Sequence, residues 1–156
     1  MYKRQVNAGT LTVTNSTISG NSANGDKNGG GIYNIGTLTV TNSTFTGNSA
    51  GAGGGGIFNQ GTLTVTNSTF TGNSAGAGGG GGIVNNGTLT VTNSTVSGNF
   101  VSGGPSGGIF NYRTLTLTNS IVDGNWDGTS STVGPYDDLV DGSGNTVFTD
   151  VYKRQL

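Results

Sequence analysis

One sentence is written five times in this chain. The run Thr-Leu-Thr-Val-Thr-Asn-Ser-Thr recurs with small edits, and Gly9, Gly36, Gly61, Gly87 and Arg113 open the successive copies. A period of 25–27 residues is the signature of a solenoid, in which no repeat can bury its apolar face alone and each does so by stacking on its neighbours.

Within a copy, Thr37-Leu38-Thr39-Val40-Thr41 alternates polar and apolar residues. Period two predicts a strand with Leu38 and Val40 on one face. Aligning the copies gives four apolar columns: Leu11/38/63/89/115, then Val13/40/65/91 with Leu117, then Ile18, Phe45, Phe70, Val96 and Val122, and finally Ile32/57/83/109. Three short strands per repeat, each ending at Asn or Gly, predict one triangular coil of an all-β parallel β-helix of about five rungs. Equivalent strands pair in parallel about 4.8 Å apart, and each inward position stacks on its own kind.

Two asparagine columns share the period: Asn15, Asn42, Asn67, Asn93 and Asn119, and Asn21, Asn48, Asn73, Asn99 and Asn125. Asn tolerates the left-handed backbone of a tight corner, and its amide can bond to a stacked copy of itself. Both columns are therefore read as structural ladders. The Asn-Ser-Thr triplets match a glycosylation sequon, but copied within a repeat they count as one coincidence. Glycine-rich connectors such as Gly51–Gly56 and Gly76–Gly82 precede the Ile column, and repeat length varies mainly there, at 22–31 and 100–108. No Lys-Ser/Thr follows those glycines, so they are not phosphate loops.

The ends stand outside the repeat. Tyr2-Lys3-Arg4-Gln5 returns as Tyr152-Lys153-Arg154-Gln155. The codons that would encode Asp-Val-Tyr-Lys-Arg-Gln resemble a transposon mosaic end used in sequencing adapters. Residues 1–5 and 150–156 are thus expected to be translated adapter flanking a metagenomic fragment. The array proper is expected over 6–125, and 126–149 reads as an irregular terminal turn or cap.

Without those ends the chain keeps two cations, Lys27 and Arg113, against six aspartates and no Glu. So little positive charge leaves no electrostatic footprint for nucleic acid and no polybasic patch for an anionic membrane. No apolar run is long enough to span a bilayer, so no direct membrane insertion of this segment is expected. Cysteine is absent, and the regular apolar columns argue against a disordered, glycine-rich chain.

Gly29-Gly30-Gly31-Ile32 with Phe45-Thr46-Gly47-Asn48, repeated as Gly54–Ile57 with Phe70–Asn73, resembles the paired short motifs of bacterial polymorphic outer-membrane protein repeats. More widely, about Val6 to Asn125 is similar to right-handed parallel β-helix proteins of bacterial surfaces, including autotransporter passenger domains. Copies ending Val96-Ser97-Gly98-Asn99 and Val122-Asp123-Gly124-Asn125 depart from the motif by lacking the Phe. The resemblance implies a secreted or cell-surface protein, at a bacterial outer membrane or cell wall. It also implies an adhesin-like or structural passenger role, with a glycan or a host or cell-surface protein as partner.

Three features could carry chemistry. Asp123-Gly-Asn125-Trp-Asp127-Gly fits the opening of an oxygen-ligand calcium loop, with Asp137 or Asp138 available to close it. Calcium is the one cofactor this spacing suggests. The outward threonines from Thr10 to Thr118 form a lattice that resembles the ice-binding face of β-helical antifreeze proteins. Tyr33, Phe58, Val84 and Phe110 alternate with the Ile column and so are expected outside, where Tyr33, Phe58 and Phe110 would form an aromatic stripe for ligands. Catalysis has little to use: no His, Cys or Glu is present, and the aspartates gather at 123–141. A non-enzymatic reading follows. The alternatives are the non-catalytic flank of a pectate-lyase-like polysaccharide-active enzyme and, third, an ice-binding threonine array.

Overall fold

The structure, a computed structural model, describes residues 4–128, 138–142 and 146–149. It is a parallel β-solenoid of about five turns. Each turn contributes four strands, not the three expected, to four parallel sheets that run the length of the stack. Sheet 1 stacks Gln5–Asn7, Ile32–Asn34, Ile57–Asn59, Ile83–Asn85, Ile109–Asn111 and Leu139–Asp141. Sheet 2 holds the five-residue threonine strands Thr10–Thr14, Thr37–Thr41, Thr62–Thr66, Thr88–Thr92 and Thr114–Thr118, followed by Thr146–Thr149. Sheet 3 runs from Thr17–Ser19 through Thr44–Thr46, Thr69–Thr71 and Thr95–Ser97 to Ile121–Asp123.

The extra sheet, sheet 4, is built from residue pairs: Ser22–Ala23, Ser49–Ala50, Ser74–Ala75, Phe100–Val101 and Trp126–Asp127. In the sequence these pairs read as the entry to the glycine connector. Ala23, Ala50, Ala75 and Val101 are nevertheless buried, because a small side chain is what the narrow fourth corner can enclose.

Register puts like on like. Leu63 pairs with Leu38 and Leu89, and Val65 with Val40 and Val91. All four expected columns line one continuous core, and only Leu11 and Ile18 on the first turn are partly buried. Phe45 and Phe70 stack with centroids 4.7 Å apart and planes 8° from parallel, both fully buried. Each such buried side chain contributes roughly 1.5–3 kcal/mol of transfer free energy, so the core is held together turn upon turn.

The corners explain the polar columns. Asn15, Asn42, Asn67, Asn93 and Asn119 all sit at φ between 45° and 50°, as a left-handed corner demands. Between them and the core, Ser43, Ser68, Ser94 and Ser120 form a hydroxyl ladder: each Oγ donates to the Thr carbonyl two residues earlier and accepts the N–H from the turn before.

The column starts at the half-buried Asn21 and is inside from Asn48 through Asn73 and Asn99 to Asn125. Each Nδ2 donates to the Oδ1 of the next, at 3.1, 2.9, 2.9 and 2.8 Å in order. A third ladder, not anticipated, runs up sheet 1 through Asn7, Asn34, Asn59, Asn85 and Asn111 with amide–amide bonds of 2.7–2.8 Å. Its residues share the 25–27 residue period, so the signal was present in the sequence, two places after each Ile.

Residues 1–3 and 150–156, most of the expected adapter, lie outside the described residues. Arg4 and Gln5 do not stand apart: Gln5 pairs with Ile32 in sheet 1, and the Arg4 guanidinium donates to Asn28 O at 2.8 Å and lies over the Tyr33 ring.

Candidate functional site

The aromatic stripe is where sequence and structure part. Strand alternation does turn Tyr33, Phe58, Val84 and Phe110 away from the main core, but that side is covered. Phe58, Val84 and Phe110 are buried in a second apolar cluster, with Tyr33 and Val140 packed against it. The glycine connectors fold back over them: a Cβ on Gly79 would collide with the Phe110 ring, and one on Gly80 would meet Val84. Glycine lets the backbone lie where side chains would otherwise stand. For Phe58 and Phe110 the expected exposed stripe is therefore corrected to an inner layer under a backbone lid, while Tyr33, on the first of these turns, is half-buried.

What remains open is the column beside it. Ile35, Gln60, Asn86 and Tyr112 occupy equivalent positions on successive turns, immediately after the sheet 1 asparagines. The backbone N–H groups of Gln60, Asn86 and Tyr112 donate to Asn34 O, Asn59 O and Asn85 O at 2.7, 2.7 and 2.8 Å. Unlike the ladders, this column changes residue at every turn. Gln60, Asn86 and Tyr112 line a groove of about 680 Å³ together with Phe58, Gly78 and Arg113.

The groove carries defined chemistry. Phe58 adds apolar lining, and Tyr112 is 46% exposed, packed at 4.2 Å and 59° against the buried Phe110 ring. Tyr33 Oη donates to Gln60 Oε1 at 2.7 Å, holding that amide in place. Asn86 is half-buried, and its buried Oδ1 accepts no hydrogen bond among the described residues. A buried acceptor left without a donor is a destabilising feature of about 1–3 kcal/mol, and in a native fold it wants an explanation.

Arg113 enters the groove by breaking the repeat, since it stands where four copies have Gly. A Cβ at Gly36, Gly61 or Gly87 would collide with the carbonyl oxygen of Gly9, Gly36 or Gly61 on the turn below. At Arg113 the turn gives way: Thr114 N to Gly87 O is 3.2 Å, against 2.8–2.9 Å at the three equivalent bonds.

The calcium loop is also reshaped by the ladders. Asn125 Oδ1 accepts Asn99 N at 3.0 Å and Asn99 Nδ2 at 2.8 Å, so both lone pairs are occupied and the residue is fully buried. Asn125 is thus a ladder member and not an available ligand. Asp123 and Asp127 lie on different sheets, on either side of that corner. Asp138 is buried and committed to Asn125, and Asp137 lies outside the described residues.

The threonine lattice is present in full register: Thr10, Thr37, Thr62, Thr88 and Thr114 stack, as do the columns of Thr12 and Thr14. These side chains face outward and range from half-buried to exposed. A second aromatic pair escaped the sequence reading. Phe100 and Trp126 replace the Ser of sheet 4 on the last two turns, with centroids 5.7 Å apart and Trp126 40% exposed.

Compared with protein-family models, curated proteins and solved structures, the chain matches none.

Proposed function

We propose that this chain is a rigid, non-catalytic segment of a secreted or bacterial cell-surface protein, an adhesin-like passenger or stalk that holds a binding surface away from the cell. The observation that carries this reading is the continuity of the stack. Three hydrogen-bonded side-chain ladders, two of Asn and one of Ser, run through successive turns beside an unbroken apolar core. Such an array resists bending, and its stability accumulates turn by turn. A fragment with no His, Cys or Glu has few means of catalysing acyl, phosphoryl or glycosyl transfer, which supports a mechanical or binding role. The similarity of the Gly-Gly-Gly-Ile and Phe-Thr-Gly-Asn motifs to bacterial surface repeats supports the location.

The test is recovery of the full reading frame, followed by expression with an epitope tag in the array and protease shaving of intact cells. Loss of the epitope from unpermeabilised cells is expected. A protected epitope overturns the surface reading. Neighbouring rungs bearing clustered Asp, Arg and Lys, together with polysaccharide cleavage by the full protein, would instead make this segment the flank of an enzyme.

A second reading has its own observation. Fifteen threonines in five strands repeat at about 4.8 Å across the strands and roughly 6.7 Å along them, a regular hydroxyl–methyl surface suited to ordering water. Thermal hysteresis measured on the purified chain tests it, and none at millimolar protein rejects it.

A further inference from the structure

We propose that the Asn24–Gly25 step, in the variable loop at 22–31, is a self-modification site. There the chain converts Asn24 through a cyclic succinimide to aspartate and isoaspartate, with the Ser22 hydroxyl assisting. The inference goes beyond the display role and does not rest on it, since it concerns the chain's own covalent structure.

An asparagine followed by glycine can close on itself. The backbone nitrogen after the asparagine attacks the side-chain Cγ, and glycine, with no Cβ, leaves the approach open and lets the backbone bend to it. Three such steps occur here: Asn24–Gly25, Asn28–Gly29 and Asn86–Gly87. The fold ties down two of them. Gly29 N donates to Gly53 O at 3.0 Å while Asn28 Oδ1 accepts Gly53 N at 2.9 Å, so nucleophile and electrophile are both held by the next turn. Gly87 N donates to Asn85 Oδ1 at 3.2 Å, and Asn86 N donates to Asn59 O at 2.7 Å. Both glycines are also crowded: a Cβ on Gly29 would strike Ile32 O, and one on Gly87 would strike Gly61 O.

The Asn24–Gly25 step is free of these restraints. Both residues are exposed, and a Cβ on Gly25 would meet nothing within 4 Å. The Gly25 N–H has no hydrogen-bond partner among the described residues. Ser22 Oγ donates to Asn24 Oδ1 at 2.5 Å. Attack on Cγ turns that carbonyl oxygen into an oxyanion, and a donor already in place stabilises it.

The chemistry needs only water. The Gly25 N–Cγ bond forms, the Cγ–Nδ2 bond breaks, and Nδ2 leaves as ammonia with the Gly25 amide proton relayed through solvent. Water then adds to either succinimide carbonyl and opens the ring, and no oxidant takes part. Aspartate adds a negative charge beside Asp26. Isoaspartate also lengthens the main chain by one carbon, and the next turn has no slack for it. Gly51 lies so close to Gly25 O that a Cβ there would collide, while Gly51 N and Ala52 N donate to Ala23 O and Lys27 O at 2.8 and 3.0 Å. Isoaspartate at 24 should therefore lift this loop from its neighbour.

The experiment is to age the purified full chain in mildly alkaline buffer and map it by peptide mass spectrometry, separating aspartate from isoaspartate peptides by chromatography. A gain of one dalton is expected at Asn24, at least about tenfold faster than at Asn28 or Asn86, whose hydrogen bonds must open first. Both isoaspartate and aspartate should form. In denaturant the three sites should react at comparable rates. Ser22→Ala should slow the step at Asn24 about tenfold, the equivalent of one hydrogen bond to the oxyanion, and Ser22→Thr, which keeps the hydroxyl, should restore it. Faster hydrogen exchange at Gly51 and Ala52 is expected in the isoaspartate form. The proposal is overturned if Asn24 survives ageing, or if all three sites age alike in the folded chain. Aspartate as the sole product, which would mean direct amide hydrolysis, overturns it too, as does a Ser22→Ala rate equal to the parent's.

Discussion

Asp138 Oδ1 accepts from both the backbone N–H and the Nδ2 of Asn125, at 2.8 and 2.9 Å. It closes a chain of amides that all donate in one direction, from Asn21 upward. A ladder of that polarity always leaves a donor at its far end, and a carboxylate, which accepts without needing an acceptor of its own, is the side chain that completes it. Sheet 1 ends the same way: Asn111 Nδ2 donates to Asp141 Oδ1 at 2.9 Å, with Asp141 in the asparagine's register position. Asp138→Ala should strand two buried donors of Asn125 and lower stability by about 2–4 kcal/mol, with the damage concentrated in the last turns. Asp138→Asn should do less harm, since its carbonyl still accepts. Hydrogen exchange resolved by residue is the right readout, because a solenoid can fray from one end. Equal protection at Asn99 and Asn125 in Asp138→Ala would remove the capping role.

The two asparagine columns foreseen from the period should respond differently to substitution. Asn73 donates to Phe45 O and Asn99 Oδ1 and accepts twice from Asn48, so Asn73→Ala leaves several buried groups unpaired. A loss above about 3 kcal/mol is expected. Asn42 is at a surface corner with φ 50° and one amide contact, to Asn15 at 3.2 Å. Asn42→Gly should be near neutral and Asn42→Ala should lose about 1–2 kcal/mol for the left-handed backbone. Denaturant midpoints of the three variants measure the ordering.

Much of this architecture is legible because a solenoid copies its answer. Period two inside Thr37–Thr41 places Leu38 and Val40 inward, and stacking repeats the placement on every turn. What alternation could not reveal was the fate of Phe58 and Phe110. They face away from the main core as expected, yet the glycine connector covers them, and its repeated glycines carry no apolar pattern to say which face they lie over. The third ladder carries the same period in the sequence, but Asn34 and Asn59 directly follow Tyr33 and Phe58, where strand alternation alone does not distinguish a stacked amide from a core-facing turn residue. The aspartates at 123–141 looked like a ligand cluster. Asp138 and Asp141 instead end two ladders, a role that depends on bond polarity and has no sequence motif. The groove residues were unreadable for the opposite reason: Gln60, Asn86 and Tyr112 break the repeat, so they look like noise.

The glycine that opens each copy should be nearly irreplaceable in the middle of the stack. At Gly61 a Cβ would run into Gly36 O, so Gly61→Ala should lose about 1–3 kcal/mol as the turns are forced apart. Arg113→Gly is the reverse experiment. It should let Thr114 N–H close on Gly87 O and leave stability equal or higher, apart from the entropy a new glycine adds to the unfolded chain. Thermal midpoints decide it, and a Gly61→Ala protein as stable as the parent would mean the turns slide past the added methyl.

Gly79 tests the backbone lid itself. Its φ is 80° and the Phe110 ring occupies the space a side chain would need, so Gly79→Ala combines a strained backbone with a direct clash. The connector should lift from the second apolar cluster while the main core stays closed, since Ile83 and Ile109 belong to the other face of the strands. The expected signature is faster exchange at 76–82 and new binding of a hydrophobic dye, with protection retained at Leu63 and Leu89. Gly79→Ala with Phe110→Ala should recover part of the loss by removing the ring that clashes, and the double-mutant cycle reads that coupling directly. Additive losses would show that the connector and the aromatic layer do not support each other.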